Sequence, residues 1–214
     1  MTYRDIVQQY SGQSGTGAML SIRSMISDRK VEFPAFLSSL SQNFKSSWQT
    51  EDVFGRNDPI GTFQSTKRTV SIGWTVPAAS LQEAKNNEMK ISKLITFLYP
   101  GYSNYTPISS DEQGPPNPTD KKNLVMGKSP LVKIKFANVI QAQDGDGLLG
   151  WIDGVDWKPK LDSGMFAEGG NFYAKVIELS ITLNVLHQQD IGVDQNGKWL
   201  GNSIYTRRVV GART

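Results

Sequence analysis

Apolar and polar residues alternate along four stretches of the chain, which predicts β-strands. The longest stretch runs from Lys175 to His187, and shorter ones cover residues 66–76, 131–139 and 151–157. Alternation places one set of side chains on a buried face and the other on a solvated face. Pro77 ends the strand of residues 66–76, because proline cannot donate to a ladder. In the three longer strands the residues predicted to face inward are Val70, Ile72, Trp74, Val76, Val132, Ile134, Phe136, Ile177, Leu179, Ile181, Leu183 and Val185.

Turn residues and aromatics extend this pattern. The segment Asp144-Gly145-Asp146-Gly147 has the composition of a tight turn, so the strands on either side of it are predicted to form a hairpin. Residues 44–54 are a further candidate strand, anchored by Phe44 and Trp48.

Trp151 and Trp157 have the same parity in their strand, which predicts that both lie on one face. Aromatic residues are enriched at protein interfaces. We nevertheless expect these two tryptophans to lie in the core, and we expect the same of Trp74, which falls on the inward face of its strand.

One segment has helical periodicity. Ser80 and Glu83 form a capping box, in which the Ser80 hydroxyl accepts from the Glu83 amide and the Glu83 carboxylate reaches back to the Ser80 amide. A helix of about 19 residues should follow and stop before Pro100 and Gly101. Its apolar positions are Ala84, Ile91, Leu94, Ile95 and Leu98, and its exposed positions are Glu83, Lys85, Asn87, Lys90 and Lys93.

These elements predict a mainly β fold with one flanking α-helix, in which the helix covers the open side of a sheet that closes or half-closes. We divide the chain into an N-terminal, partly flexible arm (residues 1–30), a β domain (31–192) and a C-terminal tail (193–214). The domain contains a long polar loop, residues 101–129. A structureless loop of this length is unusual, so a partner orders it or it is disordered.

Composition narrows the classes of function. The chain has 214 residues, no cysteine and a net charge of +3. Disulfides, cysteine-ligated zinc and thiol catalysis are therefore excluded. Residues 1–9 lack the apolar core of a signal peptide, and no apolar stretch is long enough to span a membrane, so we expect no membrane anchor.

A catalytic constellation is not apparent in the sequence. His187 is the only histidine and lies at the end of the longest strand, where a structural role is more common than that of a base. A zinc site with one histidine and no cysteine is not expected. The segment 144–147 lacks the later ligands of a calcium loop, and the glycine-rich residues 12–17 lack the lysine of a phosphate loop. We therefore predict a structural protein without catalytic, cofactor-binding or metal-binding residues; an enzyme that depends on His187 is the alternative.

Four blocks of sequence, in this order and spacing, resemble tail-tube-like baseplate proteins of contractile-tailed bacteriophages, the tail tube initiators. The blocks are residues 53–72, 76–102, 150–166 and 175–187, and the second contains Leu98-Tyr99-Pro100 at the end of the helix. The resemblance covers roughly residues 33–192. Residues outside that range have no counterpart that we can match.

The resemblance implies a tail-tube-like β-barrel or sandwich with extended loops, six copies of which form a ring around a lumen. It implies a subunit that sits on the baseplate hub, templates the first ring of the tail tube and lets DNA pass through the lumen. The protein would be located in the virion and would assemble in the host cytoplasm. The family offers no catalytic residue or cofactor to carry over.

Within this framework we expect contacts between subunits or rings at the Gly55–Thr66 turn or at the loop of residues 101–129. The candidate interface residues are Arg56, Asp58, Pro59, Lys67 and Arg68. Arg56 and Asp58 would pair across subunits; a local salt bridge that sharpens the turn is the alternative.

Two other functions stay open at this stage. The chain would be the major tail tube protein, or another tube layer, if it polymerises without a hub. It would be a single-stranded nucleic-acid-binding β-barrel if its five tryptophans stack on bases, and a pI near 9.0 favours that class. Against it stand the small net charge and the even spread of lysines.

Overall fold

The structure is a computed structural model that describes residues 19–34, 36–105, 123–137, 139–142, 146–188 and 191–200. Most described residues lie in strands, and one α-helix is present among them, so the predicted mainly β fold with a flanking helix is confirmed. The elements are β1 (Met19–Ser24), β2 (Lys30–Pro34), β3 (Phe36–Glu51), β4 (Ile60–Pro77), α1 (Leu81–Thr96), β5 (Gly101–Tyr105), β6 (Asn123–Lys128), β7 (Val132–Phe136), β8 (Leu148–Pro159), β9 (Met165–Glu168), β10 (Asn171–Ala174), β11 (Val176–Val185), β12 (Gly192–Val193) and β13 (Trp199–Leu200).

Seven strands form one antiparallel sheet in the order β2-β1-β7-β8-β11-β4-β3. Its edge strands are joined directly, since β2 ends at Pro34 and β3 begins at Phe36. Two peptide units span at most roughly 7 Å, so the sheet must curl until its edges approach each other at this point. Phe33 of β2 accordingly packs on Trp74 of β4, with ring centroids 5.6 Å apart. The sheet is therefore half-closed.

The concave side of the curled sheet holds the core. All the inward-facing residues predicted for the three longer strands are buried except Phe136, which packs against the core and is partly buried. The hairpin predicted around residues 144–147 is confirmed by the pairing of β7 with β8, although residues 143–145 lie outside the described part. Two strands outside the predicted set, β1 and β2, complete the core with Leu20, Ile22, Val31 and Phe33.

Helix α1 covers the open side of the sheet. The Ser80 hydroxyl accepts from the Glu83 amide at 3.2 Å, as the capping box predicts. The Glu83 carboxylate, however, accepts from the Ala79 amide at 2.8 Å rather than from Ser80. The helix ends at Thr96, earlier than expected, because the chain tightens into turns at residues 97–99 before Pro100.

Two positions of α1 face differently from the prediction. Asn87, placed on the exposed face, is buried and donates to the Pro77 carbonyl at 3.4 Å. Ile95, placed on the apolar face, is exposed.

A small hairpin, β9–β10, packs against α1. Lys85 forms an ion pair with Glu168 there and lies over the Tyr173 ring.

Three segments expected to be irregular contain strands. The expected N-terminal arm, residues 1–30, includes β1, whose apolar side chains enter the core. The ends of the expected loop, residues 101–129, pair with each other as β5 and β6, because an antiparallel ribbon satisfies their backbone groups. The expected C-terminal tail takes part in the β12–β13 pair. Residues 1–18, 106–122 and 201–214 lie outside the described part.

The face of the sheet opposite the core is polar. Thr69 donates to Asn184 at 3.2 Å, Ser71 and Thr182 are 3.5 Å apart, and Ser180 donates to Asp156 at 3.0 Å. These are cross-strand neighbours or near neighbours in the ladders of β11. The polar face is thus a hydrogen-bonded surface rather than a second core.

The prediction that Trp151 and Trp157 share a face of β8 is wrong. The register of β8 against β11 shifts between Ile152 and Gly154, and such a bulge reverses the parity of the strand. Trp151 is opposite Asn184 on the polar face, whereas Trp157 is opposite Leu179. The expected core position is wrong as well, since the two side chains are 42% and 47% exposed.

Candidate interaction surface

Strands β3 and β4 extend beyond the rest of the sheet. β11 pairs with β4 only along Arg68–Pro77, so the first half of β4, residues 60–67, pairs only with residues 45–51 of β3 in the described structure. We call residues 45–67 the arm. Seven residues of strand span roughly 23 Å, which is the reach of the arm before its turn. Almost every side chain of the arm is exposed.

An aromatic stripe runs from the sheet onto the arm. Phe44 is opposite Arg68, and Trp48 is opposite Phe63. The ladder skips one residue of β4 after Ser47. This bulge turns Phe63 to the same side as Phe44 and Trp48, and that side continues the core face. Trp48 and Phe63 are 57% and 52% exposed and pack edge to face, with centroids 5.4 Å apart. We call Phe44, Trp48 and Phe63 the arm stripe.

A buried arginine, Arg68, lies at the base of the arm. Arg68 is 4% exposed, donates to the Gln42 side chain at 2.7 Å and lies over the Phe44 ring at 5.3 Å. Its charge also affects His187 just after β11. Desolvation of the imidazole, and then the charge of Arg68, hold the pKa of His187 below its ordinary value.

The tip of the arm, residues 51–59, presents an aromatic side chain among charges. Phe54 is fully exposed, and Val53 beside it is exposed as well. The turn is closed by a bond from the Arg56 amide to the Val53 carbonyl at 3.2 Å, and Gly55 has a φ of 86°, which favours glycine. The charged residues of the tip are Glu51, Asp52, Arg56 and Asp58.

The predicted interface residues separate into two groups. Arg56, Asp58 and Pro59 lie exposed at the tip, and Lys67 is exposed on the arm near its base. Within the described residues no ion pair joins Arg56 to Asp58. Arg68 is buried within its own chain, where it contacts Gln42 and Phe44.

The sequence pattern did not indicate Phe63 as a surface residue, and Phe44 and Trp48 were predicted to anchor a strand. A signal was present: residues 45–51 offer polar side chains on both faces of the strand, which is typical of a strand with no core beside it. Aromatic residues in such a strand belong to a surface.

A cleft lies between α1 and the ends of β2 and β4. It has a volume of about 340 Å³. We call it the helix cleft. Its apolar lining is Pro34, Pro77 and Met89, and its polar lining is Glu83, Asn86, Asn87, Lys90 and Lys93.

The described residues contain no group of three or more histidine, aspartate or glutamate side chains that is arranged to hold a metal ion. His187 is exposed in the loop after β11. No helix of the described chain has the length and apolar character needed to span a membrane.

No family model matches the sequence, and no curated protein matches it. Among solved structures the chain is similar to one in the "Cryo-EM structure of the anti-feeding prophage (AFP) baseplate, 6-fold symmetrised". The identity is 9%, the match covers 79% of this chain and 88% of that chain, and the TM-score is 0.30. At this TM-score the likeness carries no argument about function.

Proposed function

We propose that this chain is a non-enzymatic structural subunit of a contractile phage tail. Six copies would form a ring at the baseplate that connects the central hub to the tail tube and nucleates polymerisation of the tube. The partners would be other copies, the hub and tube proteins, and the location would be the virion. The four sequence blocks that resemble tail tube initiators support this specific assignment.

The arm is the observation that carries the proposal. β3 is an edge strand of 16 residues, and the described part of the chain supplies no strand on its outer side. Folded proteins usually shorten, charge or cover such an edge, because it is a template for pairing with another chain. Here it is long and is accompanied by an exposed aromatic stripe. A monomer gains nothing from this arrangement, whereas an assembly buries it.

The two ends of the sheet suit a heterologous contact. One edge is β3 and the other is β2, and they differ in length and sequence. A contact between unlike surfaces generates a ring when its rotation closes and a filament when it does not. Permanent assemblies of this kind bury about 2,000 Å² or more.

A major tube protein remains the nearest alternative, and the arm is compatible with both roles. The two differ in what triggers assembly. A major tube protein polymerises into long tubes by itself, whereas an initiator forms its ring on the hub. The binding of single-stranded nucleic acid has less support. Three carboxylates stand at the arm tip near the exposed aromatics, and they would repel a phosphate backbone.

The decisive test is electron microscopy of the native particle. We expect a six-fold ring between hub and tube; density for this chain elsewhere, or with another symmetry, would contradict the proposal. Salt-dependent binding of the purified chain to single-stranded DNA would instead favour the nucleic-acid alternative.

A paired variant tests the role of the arm. We expect Trp48→Thr with Phe63→Thr to leave the chain folded, because threonine suits an exposed strand, and to prevent incorporation into particles. The matched control is Leu161→Thr with Phe172→Thr, which removes two apolar side chains outside the arm that are 66% and 69% exposed. Normal incorporation of the arm variant would remove the structural support for the proposal.

A further inference from the structure

The arm tip and the helix cleft lie at opposite ends of one strand. β4 begins at Ile60, next to the tip, and ends at Pro77, which lines the cleft. Eighteen residues of strand span roughly 55 Å. Phe54 is fully exposed in its own chain, so the cleft of the same copy does not receive it. Any contact between tip and cleft therefore joins two copies.

The two surfaces match in shape and polarity. Phe54 projects from the tip, and the cleft of about 340 Å³ is within the range of pockets that enclose small ligands. Pro34, Pro77 and Met89 give the cleft an apolar wall, and Met89 is 54% exposed. Methionine adapts its shape to an entering side chain. A ring inserted here would cover apolar surface on both partners.

Their charges are complementary. The tip, residues 51–59, carries Glu51, Asp52 and Asp58 against Arg56, a net charge of −2. The cleft carries Lys90 and Lys93, and its one carboxylate, Glu83, is held by the Ala79 amide. Among the described residues neither lysine forms an ion pair, and neither do the three tip carboxylates. Both sets of charges are thus available to a partner.

We propose that the arm tip of one copy docks into the helix cleft of a second copy, with Phe54 against the apolar wall and the tip carboxylates beside Lys90 and Lys93. The contact is head-to-tail along the strand direction and is distinct from pairing at the sheet edge. It rests on the proposed function only insofar as both require copies of the chain to associate.

Cysteine cross-linking tests the contact directly, because the natural chain has no cysteine. Asn57→Cys marks the tip and Asn86→Cys marks the cleft, and both asparagines are exposed. We expect oxidation of a mixture of the two full-length variants to give a covalent dimer that joins residues 57 and 86, identified by peptide mass spectrometry. Asn171→Cys, exposed on the β9–β10 hairpin, replaces the cleft variant as the matched control and should give no comparable link.

Charge reversal tests the contact through the yield of the cross-link, which would not change if the charged residues had a purely structural role. Lys90→Glu with Lys93→Glu should lower the yield of the 57–86 link several-fold, and Asp52→Lys with Asp58→Lys on the tip partner should restore it. Phe54→Ala should weaken the association roughly tenfold or more, as expected of an aromatic anchor in a pocket. A yield no higher than the control, tip-to-tip links in place of tip-to-cleft links, or no rescue by the reversed pair would overturn the proposal.

The outcome separates the two proposals. A six-fold ring in the particle without the 57–86 link would refute the docking contact and leave the ring intact. The link without incorporation into any tail would support the docking contact and refute the tail function.

Discussion

The two halves of strand β4 lie in regions of the molecule that differ in burial. Its second half, Arg68–Pro77, lies between β3 and β11 in the sheet, and its first half has only β3 beside it. Trp74 in the second half is fully buried, whereas Phe63 in the first half is 52% exposed. Both residues are aromatic, both lie on the core side, and both are paired with β3 in an antiparallel ladder.

The difference lies in the neighbours that each half receives. Trp74 packs on Phe33 because the sheet curls and brings its far edge around. The arm extends past that curl, so its aromatic face receives no second layer from the described chain. A sheet face needs another layer to bury its apolar side chains, and for the arm that layer has to come from another molecule.

The largest expected difference between the regions is in the free energy of unfolding. Trp74→Ala should cost about 3–5 kcal/mol, because it removes a large buried side chain and leaves a cavity. Trp48→Ala should cost less than about 1.5 kcal/mol, chiefly through loss of the edge-to-face pair with Phe63. Urea unfolding of the monomeric chain measures both. Similar costs would contradict the division of the described chain into the arm and the remaining sheet with its helix, which we call the body.

Trp74→Phe is the matched control in the body. The indole nitrogen of Trp74 is buried without a hydrogen-bond partner among the described residues. Replacing it by an apolar ring removes that unsatisfied donor, so this variant should retain most of the stability that Trp74→Ala loses.

The boundary between the regions provides the second prediction. Arg68→Ala should cost about 1–3 kcal/mol, because it removes a buried side chain and leaves the half-buried Gln42 oxygen and the Phe44 ring without their cation. Arg56→Ala at the tip should change stability by no more than about 0.5 kcal/mol.

Assembly should show the reverse order for these two arginines. Arg56→Ala should change association between copies without unfolding the chain, whereas loss of the Arg68 side chain should affect association only as far as it unfolds the base of the arm. Unchanged assembly of Arg56→Ala, measured by particle incorporation, would argue against a contact between subunits at this residue.

Sequence periodicity predicted the body well and the arm poorly, for the same reason. Alternation in β4 and β11 identifies which side chains share a face, and burial follows where layers meet, as at Ile72 and Ile181. It carries no information on whether a layer is present. Phe44 and Trp48 were therefore predicted as anchors and lie on an exposed surface.

Bulges and distant pairing limited the prediction further. A single extra residue in β8 placed Trp151 and Trp157 on opposite faces, and the sequence does not mark where a ladder shifts. β1 falls in the segment that was predicted as a partly flexible N-terminal arm; its pairing with β7 spans more than a hundred residues, which local periodicity does not reveal. The candidate interface at the tip was predicted through the sequence blocks, whereas the helix cleft needs three elements brought together in space.

The helix cap is a smaller test within the body. Ser80→Ala should cost about 1 kcal/mol, because the Glu83 amide loses its acceptor. Ser80→Asp is the control and should retain most of the stability, since aspartate accepts the same bond. Thermal or urea unfolding measures the two variants. Equal stability of Ser80→Ala and the natural chain would mean that the cap contributes nothing to the position of α1.

The smallest expected effect is an acid-sensitive contact at the β7–β8 end of the body. Lys133 donates to Asp146 at 2.6 Å, and this bond, with the backbone amide of Gly147, lowers the pKa of the Asp146 carboxyl below its ordinary value. A carboxyl with a lowered pKa in the folded state contributes stability above its unfolded pKa, near 3.8, and loses it as the pH falls through the folded value. Asp146→Asn should cost less than about 1 kcal/mol at neutral pH, because the aspartate is half exposed.

As the pH falls below about 5, Asp146→Asn should therefore lose less stability than the natural chain. Urea unfolding at each pH measures the difference. Asp58→Asn at the arm tip is the control: its carboxylate forms no ion pair in the described chain, so the variant should follow the natural acid profile. An acid profile of Asp146→Asn that coincides with that of Asp58→Asn would show that the Lys133 contact adds nothing.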